Sequence, residues 1–247
     1  MKFHIKFILA AALLAAAGLA ANAQISVQAG VLAPHQKMTH HAPFKRTDRY
    51  GYGAYVGADY DIHIIKGFLI TPGIYYNYTF SEYINNDPYN FIHFDQIDHL
   101  IKIPVHLKYN FNIKPGKFAI YLYAGPVFSV GLASQLNTLC KAIIDDVAGD
   151  IIHIDNYSGA IKKIQLANYG DYRTMIIDMV QASIDSKGIT QRYLDLQIDG
   201  GIGFRFKDHW ELRFGYSFGV FDRFNRAYGD THDLQMTQYY VGFGYRF

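Results

Sequence analysis

The feature that most constrains this chain is an alternation of large apolar residues with small or polar ones. The last thirteen residues, 235–247, show it clearly, because every second residue from Phe247 back to Tyr239 is aromatic or valine. The residues between them include Arg246, two glycines and Gln238. Successive side chains of a β-strand point to opposite faces. The segment therefore predicts a terminal strand with one bulky apolar face and one small or polar face.

The same alternation predicts seven earlier strands, near residues 25–31, 50–60, 67–80, 99–111, 118–132, 191–206 and 210–219. Short predicted turns at 61–66, 112–117 and 207–209 alternate with long predicted loops at 33–49, 81–98, 133–190 and 221–234. A soluble lipocalin-like barrel needs apolar residues inside, whereas the smaller face here is polar or glycine. We therefore predict an all-β fold, an eight-stranded antiparallel up-and-down transmembrane β-barrel of the bacterial outer membrane.

Composition and the first residues agree with this location. Aromatic residues make up 16% of the 247, as in strands bordered by aromatic girdles. Residues 1–23 read as a signal peptide, with Lys2, Lys6, an apolar core and a small-x-small site ending at Ala23. Its removal reduces 23 basic residues to 21, against 21 acidic ones. The predicted barrel domain, 24–247, is thus neutral, which gives no reason to expect nucleic-acid binding.

Charged residues on the inward faces predict a packed ion-pair network. An eight-stranded barrel has room inside only for its own side chains, and unpaired charges in such a space are costly. The alternative is a selective pore lining. The predicted network consists of Asp59, Lys102, His106, Lys108, Asp195, Asp199, Arg205, Glu211, Arg213 and Arg246.

The apolar face of the last strand is a predicted assembly signal. Alternating aromatics before a terminal Phe resemble the sorting signal that the outer-membrane insertion machinery reads. We therefore expect that machinery to be a partner during assembly, and outer-membrane lipid to surround the barrel afterwards. The residues of the signal are Tyr239, Val241, Phe243, Tyr245 and Phe247.

The third predicted outer loop, 133–190, is long enough to require structure of its own. Apolar residues at helical spacing predict one helix over 136–147 and another over 171–188. Between them, 151–155 and 160–166 pair as a hairpin or extend a helix. We expect a partly helical cap that contacts an extracellular protein or glycan, or a lid that packs on the strand ends.

Sequence motifs for catalysis are missing, including G-x-S-x-G, H-E-x-x-H and a glycine-rich phosphate loop. Asp98 with His99, Ser129, and Asp222 or Asp230 with His232 are polar groups near the predicted outer rim, without a catalytic arrangement. The loop histidines lack zinc-site spacing. We predict a protein that is not an enzyme and has no cofactor or metal.

Two runs and the chain end resemble the PorT-like outer-membrane β-barrel family. The runs are H-L-I-K-I-P-V-H-L-K-Y-N-F at 99–111 and Y-L-Y-A-G-P-V at 121–127, and the end is V-G-F-G-Y-R-F at 241–247. The resemblance implies a small envelope barrel, whose namesake belongs to a secretion and gliding apparatus, and it carries over no catalytic or binding residues. We expect a structural or interaction barrel. The alternatives are a narrow passive channel for small solutes or ions, or an accessory component of a secretion apparatus.

Overall fold

Ten strands account for most of the chain in the computed structural model, which describes residues 24–41, 44–87, 90–141, 150–165, 178, 181–182, 190–225 and 232–247. The predicted signal peptide, 1–23, lies outside these ranges. The strands are β1 Gln24–His41, β2 Phe44–Ile65, β3 Phe68–Asp87, β4 Asn90–Lys114, β5 Phe118–Lys141, β6 Asp150–Asp155, β7 Ile161–Gln165, β8 Leu194–Phe206, β9 Trp210–Gly219 and β10 His232–Arg246.

Eight of these strands close a barrel. The sheet order is β4-β3-β2-β1-β10-β9-β8-β5-β6-β7, and pairing between β4 and β5 closes the ring. Every pair is antiparallel, and the first and last strands meet from Ser26↔Arg246 to His40↔His232. The predicted all-β, eight-stranded antiparallel barrel is confirmed. The hairpin β6–β7 lies outside the ring and is attached to the free edge of β5.

Tight turns define one end of the barrel, which also carries Gln24 and Phe247 and is called the turn end below. The turns lie at 66–67, 115–117 and 207–209. Gly67 and Gly116 adopt φ of 84° and 72°, which a residue with a Cβ rarely adopts. The turn at 207–209 is confirmed as predicted. The turn predicted at 61–66 is shorter, because β2 continues to Ile65.

At the opposite end, called the mouth end, strands extend into all four predicted loops, and two of these loops are largely strand. β1 and β2 cover most of 33–49, β3 and β4 cover most of 81–98, and β10 begins at His232. The predicted loop boundaries are therefore wrong. Above the apolar band neither face of these strands contacts an apolar phase, so the alternation fades while the backbone ladder continues.

The predicted helix over 136–147 is wrong in its first half. Residues 136–141 belong to β5, where Gln96↔Leu136 and Leu136↔Ile154 pair them to strands on both sides. Pairing with two neighbours overrides the local helical spacing. The hairpin alternative for 151–166 is the one observed. Of the predicted helix over 171–188, the described residues Asp178, Gln181 and Ala182 are helical, and the rest lies outside the described ranges. Within those ranges, no helix is long and apolar enough to cross a membrane.

Candidate functional site

The two faces of the barrel wall are inverted relative to a soluble barrel. Outward residues are large, apolar and exposed, for example Val31 at 62%, Tyr52 at 65% and Phe243 at 55%. Inward residues such as Gln28 and Lys108 are polar and buried. The lumen is therefore where charged groups concentrate, and it contains three layers that we describe from the turn end to the mouth end.

The floor layer, near the turn end, gathers around Asp61, which is fully buried. Lys108 Nζ lies 2.7 Å from Asp61 Oδ1, and the Thr71 hydroxyl donates to the same oxygen at 2.8 Å. Arg246 and Arg205 approach Oδ2 at 3.3 and 3.6 Å. One carboxylate thus joins cations from three different strands, β4, β8 and β10.

Asp61 is missing from the predicted network, because its segment reads as a turn in the sequence. The signal that could have found it is its register, since Gly57, Asp59 and Asp61 continue one inward row. The predicted list has five lysines and arginines against four carboxylates. With Asp61 the count in this network becomes five against five.

The middle layer contains two further ion pairs. Arg213 binds Asp59 at 2.5 Å and donates to the Tyr75 hydroxyl at 3.3 Å. Arg205 binds Glu211 Oε1 at 2.7 Å. Gln28 links the two pairs, because its Nε2 donates to Asp59 at 3.3 Å and to Glu211 at 3.2 Å.

Tyrosine rings fill the space between these ion pairs. They extend across the lumen and contact one another, with Tyr123 and Tyr240 hydroxyls 2.7 Å apart and the Tyr55 and Tyr75 ring centroids 5.6 Å apart. Tyr240 also donates to Asp199 at 2.9 Å. The prediction that the inner face is polar or glycine therefore needs correction. The buried lumen tyrosines are Tyr55, Tyr75, Tyr121, Tyr123 and Tyr240.

Each of these rings lies against a glycine on another strand. A Cβ added at Gly203 would overlap the Tyr121 ring, and one at Gly242 would overlap the Tyr55 hydroxyl. A Cβ at Gly215 would overlap the Tyr240 ring in the same way. These inward glycines are therefore seats for aromatic rings.

A small cavity, lined by both polar and apolar side chains, remains in the upper lumen. Its volume is about 40 Å³, which is room for about three water molecules. The Lys102 ammonium, which donates to Gln197 Oε1 at 2.8 Å, lies beside it. His106 Nε2 lies 3.2 Å from Asp199. A cavity of this size, between interlocked side chains, has no room for a sugar.

The mouth layer gathers around a second buried aspartate, Asp98. Gln96 Nε2 lies 2.9 Å from both of its oxygens, and the Ser134 hydroxyl donates to Oδ1. Arg223 lies 3.7 Å from Oδ2. Burial alone would lower the pKa of Arg223, but the carboxylates of Asp98 and Asp195 raise it, so this guanidinium stays charged.

The turn of the β6–β7 hairpin, residues 156–160, completes the mouth layer from above. Asn156 and Tyr157 are 5% and 7% exposed. The Tyr157 ring stacks on Tyr193 with centroids 4.4 Å apart. Burial raises the pKa of the Tyr157 hydroxyl to about 12, so the group is neutral at physiological pH. Neither Asp98 nor Arg223 nor this turn is in the predicted site.

The ten predicted network residues all line the lumen, although Asp195 is half-buried and the others are buried. The five predicted assembly-signal residues share the outward face of β10 and the chain end. The Trp210 ring stacks on Phe243 with centroids 5.3 Å apart. The Tyr245 ring lies edge-on to both Trp210 and Phe247, with centroids 5.0 Å apart in each pair. The Phe247 backbone N–H donates to Ile25 O at 2.9 Å.

The polar pair Asp98 and His99 is not brought together. Asp98 points into the lumen, whereas His99 points outward, where its Nδ1 lies 2.5 Å from the Tyr76 hydroxyl. Asp222 accepts the backbone N–H groups of Phe224 and Leu234, at 3.0 and 2.8 Å, and so shapes a loop. Across the ranges that the structure describes, no group of three or more His, Cys, Asp or Glu could hold a metal ion.

A family model of the outer membrane protein beta-barrel domain matches residues 7–247 of this chain. The chain belongs to this family. The protein is therefore a multi-pass β-barrel of the bacterial outer membrane, whose apolar belt contacts lipid. Its turn end faces the periplasm and its mouth end faces outward, because barrels of this kind have short periplasmic turns. The match is to the barrel domain in general and does not extend to the PorT-like group.

Solved structures of other outer-membrane barrels are similar to this one. Ail of Yersinia pestis, solved with the heparin analogue sucrose octasulfate, is 10% identical with a TM-score of 0.42, covering 91% of this chain and 99% of Ail. OprG from Pseudomonas aeruginosa is 10% identical with a TM-score of 0.38, covering 91% and 95%. Neisserial surface protein A is 13% identical with a TM-score of 0.36, covering 90% and 97%. No curated protein matches the chain.

Proposed function

We propose that this barrel is a non-enzymatic docking protein whose extracellular hairpin and the wall that carries it contact a protein or glycan. The observation that supports this most is that β5 extends well beyond the end of its neighbour β8 at the mouth end. Its pairing with β8 ends at Val130, while β5 continues to Lys141. The free edge above β8 is paired with β6, at Gln135↔Asp155 to Cys140↔Asp150. An ordered sheet thus rises above the belt on one side of the mouth.

The outward surface of this raised sheet changes from apolar to polar. Phe128 and Leu132 are exposed in the belt at 51% and 56%. Above them, Gln135 Nε2 lies 2.8 Å from His153 Nδ1, and Asn137 Oδ1 lies 2.6 Å from the same nitrogen. Carboxamide and imidazole groups can donate and accept hydrogen bonds, which suits a polar partner such as a protein surface or a sugar.

The proposal that the protein is not an enzyme draws on the separation of its polar rim groups. Asp98 and His99 lie on opposite faces of β4, and Asp222 is used for backbone capping. Hydrolysis requires a nucleophile, a base and an oxyanion site that converge on one point.

We also retain the predicted helix over 171–188 as part of the docking region.

A photo-cross-linking experiment in intact cells tests docking. A photoreactive amino acid replaces Lys163, which lies opposite His153 on the hairpin. The matched control replaces Lys207, which is equally exposed but lies in a periplasmic turn. We expect a discrete adduct from position 163 that disappears when His153 and Gln135 are changed to alanine. An adduct that appears only from position 207 would contradict an extracellular docking role.

The alternatives are a narrow passive channel and an accessory component of a secretion apparatus. The cavity of about 40 Å³ and the ion pairs that cross the floor layer favour a closed barrel over a channel. Liposome swelling with small sugars distinguishes a closed barrel from a channel, because solute flux well above that of empty liposomes would require an open lumen. A secretion protein in the adduct from position 163 would support the accessory role.

We further propose that Phe247 is required for recognition by the insertion machinery. Phe247 is 70% exposed, and its side chain contacts Tyr245 at the chain end. Its deletion removes little buried surface, so folded barrels should keep their stability while assembly in cells falls several-fold. The fraction that keeps the compact, heat-modifiable form in unheated gel samples measures assembly. Equal assembly of the truncated protein would remove the signal role.

A further inference from the structure

The turn of the β6–β7 hairpin does not behave like an ordinary surface turn. Connecting segments usually run over the surface with exposed side chains. Here Ser158 is exposed, but its neighbours Asn156 and Tyr157 are buried. The two side chains therefore point down into the mouth of the barrel rather than outward with the rest of the hairpin.

The seat of Tyr157 is built in the same way as the seats of the lumen tyrosines. Gly131 is an inward residue of β5, and a Cβ at this position would overlap the Tyr157 hydroxyl. Tyr193 supports the other side of the ring, and its carbonyl accepts the Gly131 backbone N–H at 2.7 Å. A ring from outside the barrel thus occupies the position that a strand tyrosine occupies lower in the lumen.

Asn156 fixes this ring in place through three hydrogen bonds. Its backbone N–H donates to Ser134 O at 2.9 Å, and its Nδ2 donates to Ser134 Oγ at 2.8 Å. Its own carbonyl accepts the Gln191 backbone N–H at 2.7 Å. Ser134 in turn donates to Asp98. The turn is therefore connected to the centre of the mouth layer.

We propose that Asn156 and Tyr157 form a stopper that closes the outer mouth of the lumen. Beneath it lie Ser129, Lys102 and then the cavity, where buried atoms such as Asn77 Oδ1 and His106 Nδ1 have no protein partner among the described residues. Water molecules in a cavity of this size can bond such atoms. The stopper isolates this cavity from the cell exterior. This role is independent of any docking partner.

Cysteine accessibility in intact cells tests the stopper. The single cysteine, Cys140, is changed to serine, and Ser129→Cys places a reporter on the inward face of β5, below Gly131 and opposite Lys102. With Tyr157 present, a membrane-impermeant maleimide should label this reporter slowly. In Tyr157→Ala it should label about tenfold faster or more, the factor that corresponds to about 1.4 kcal/mol of closing free energy.

Further variants keep the test decisive. Gly131→Ala retains the tyrosine but removes its seat, and should accelerate labelling as Tyr157→Ala does. Tyr157→Phe retains the ring and should leave the rate unchanged. A cysteine reporter at Ser26, which is buried near the turn end, should stay unlabelled in every variant that remains folded. A cysteine reporter at the exposed Ser158 should be labelled in all variants. Equal labelling of the Ser129 reporter with and without the Tyr157 ring would overturn the proposal.

Discussion

The floor layer and the mouth layer each surround one buried aspartate, but they hold it differently. Asp61 contacts three cations, all of which belong to strands of the closed ring. Asp98 accepts hydrogen bonds from neutral groups, and Arg223, 3.7 Å away, lies on the segment after β9. The cations of the floor are therefore fixed by the barrel itself, whereas the cation at the mouth lies on a segment that can change without opening the ring.

The largest expected effect comes from removing the charge of Asp61. Asp61→Asn leaves Lys108, Arg205 and Arg246 crowded in a buried space with one carboxylate fewer. Breaking a buried ion pair in this way costs about 3–5 kcal/mol, which urea unfolding of the barrel in lipid vesicles would measure. The double variant Asp61→Asn, Lys108→Met removes one cation as well and should recover part of the loss. A loss below about 1 kcal/mol would mean that the floor is not held by charge.

A smaller loss is expected at the mouth. Asp98→Asn removes a charged acceptor from Gln96 and Ser134, and hydrogen bonds to charged groups contribute about 1.5–3 kcal/mol. Arg223 also keeps the attraction of a second carboxylate, that of Asp195. The same unfolding assay compares the two layers directly. If Asp98→Asn destabilises the barrel as much as Asp61→Asn does, the mouth is as rigid as the floor.

In the middle layer, the same glycine-to-alanine change should cost stability where a tyrosine ring lies against the glycine and little where no ring does. Gly203→Ala pushes a methyl group into the Tyr121 ring, and overpacking of this kind costs about 1–3 kcal/mol. Gly200→Ala is the control, because its nearest neighbour would be the Tyr123 carbonyl oxygen at 3.5 Å, an ordinary contact. We expect a lower urea midpoint for Gly203→Ala alone. Equal midpoints would show that the rings shift freely.

The smallest effect concerns pH at the hairpin turn. Burial would raise the pKa of Asp155, but backbone N–H groups of Ser158 and Tyr157, with Lys162, hold it below its usual value. Stabilisation by this carboxylate is therefore present above the unfolded pKa of about 3.9 and is lost as pH falls through the folded pKa. It amounts to about 1 kcal/mol or less.

Hydrogen exchange at the Tyr157 and Ser158 amides, corrected for intrinsic rates, measures this contribution. Protection should fall between pH 6 and pH 3 in the natural chain. In Asp155→Asn protection should be lower at pH 6 and should change little with pH. If acid lowers protection equally in both proteins, Asp155 is not the group that titrates.

The barrel itself follows from sequence because period-two alternation reports directly on which face meets lipid. The belt residues of β10 and the inward charges of β8 follow from this rule without any contact information. The rule fails above the belt, where both faces meet water or protein, and so 33–41 and 136–141 do not read as strands. Asp61 is missing from the predicted lumen network for a related reason, because residues 61–66 read as a turn and not as the end of an inward-facing strand row.

By itself the sequence determined the ring of eight strands, its inverted faces, its location and most of the lumen charges. Those depend on side-chain alternation, which is local. Tertiary structure decided which cations share Asp61, which glycines seat which tyrosines, and that Tyr157 from an outer hairpin reaches Gly131. These contacts join residues from different strands, and their partners depend on the register that barrel closure imposes.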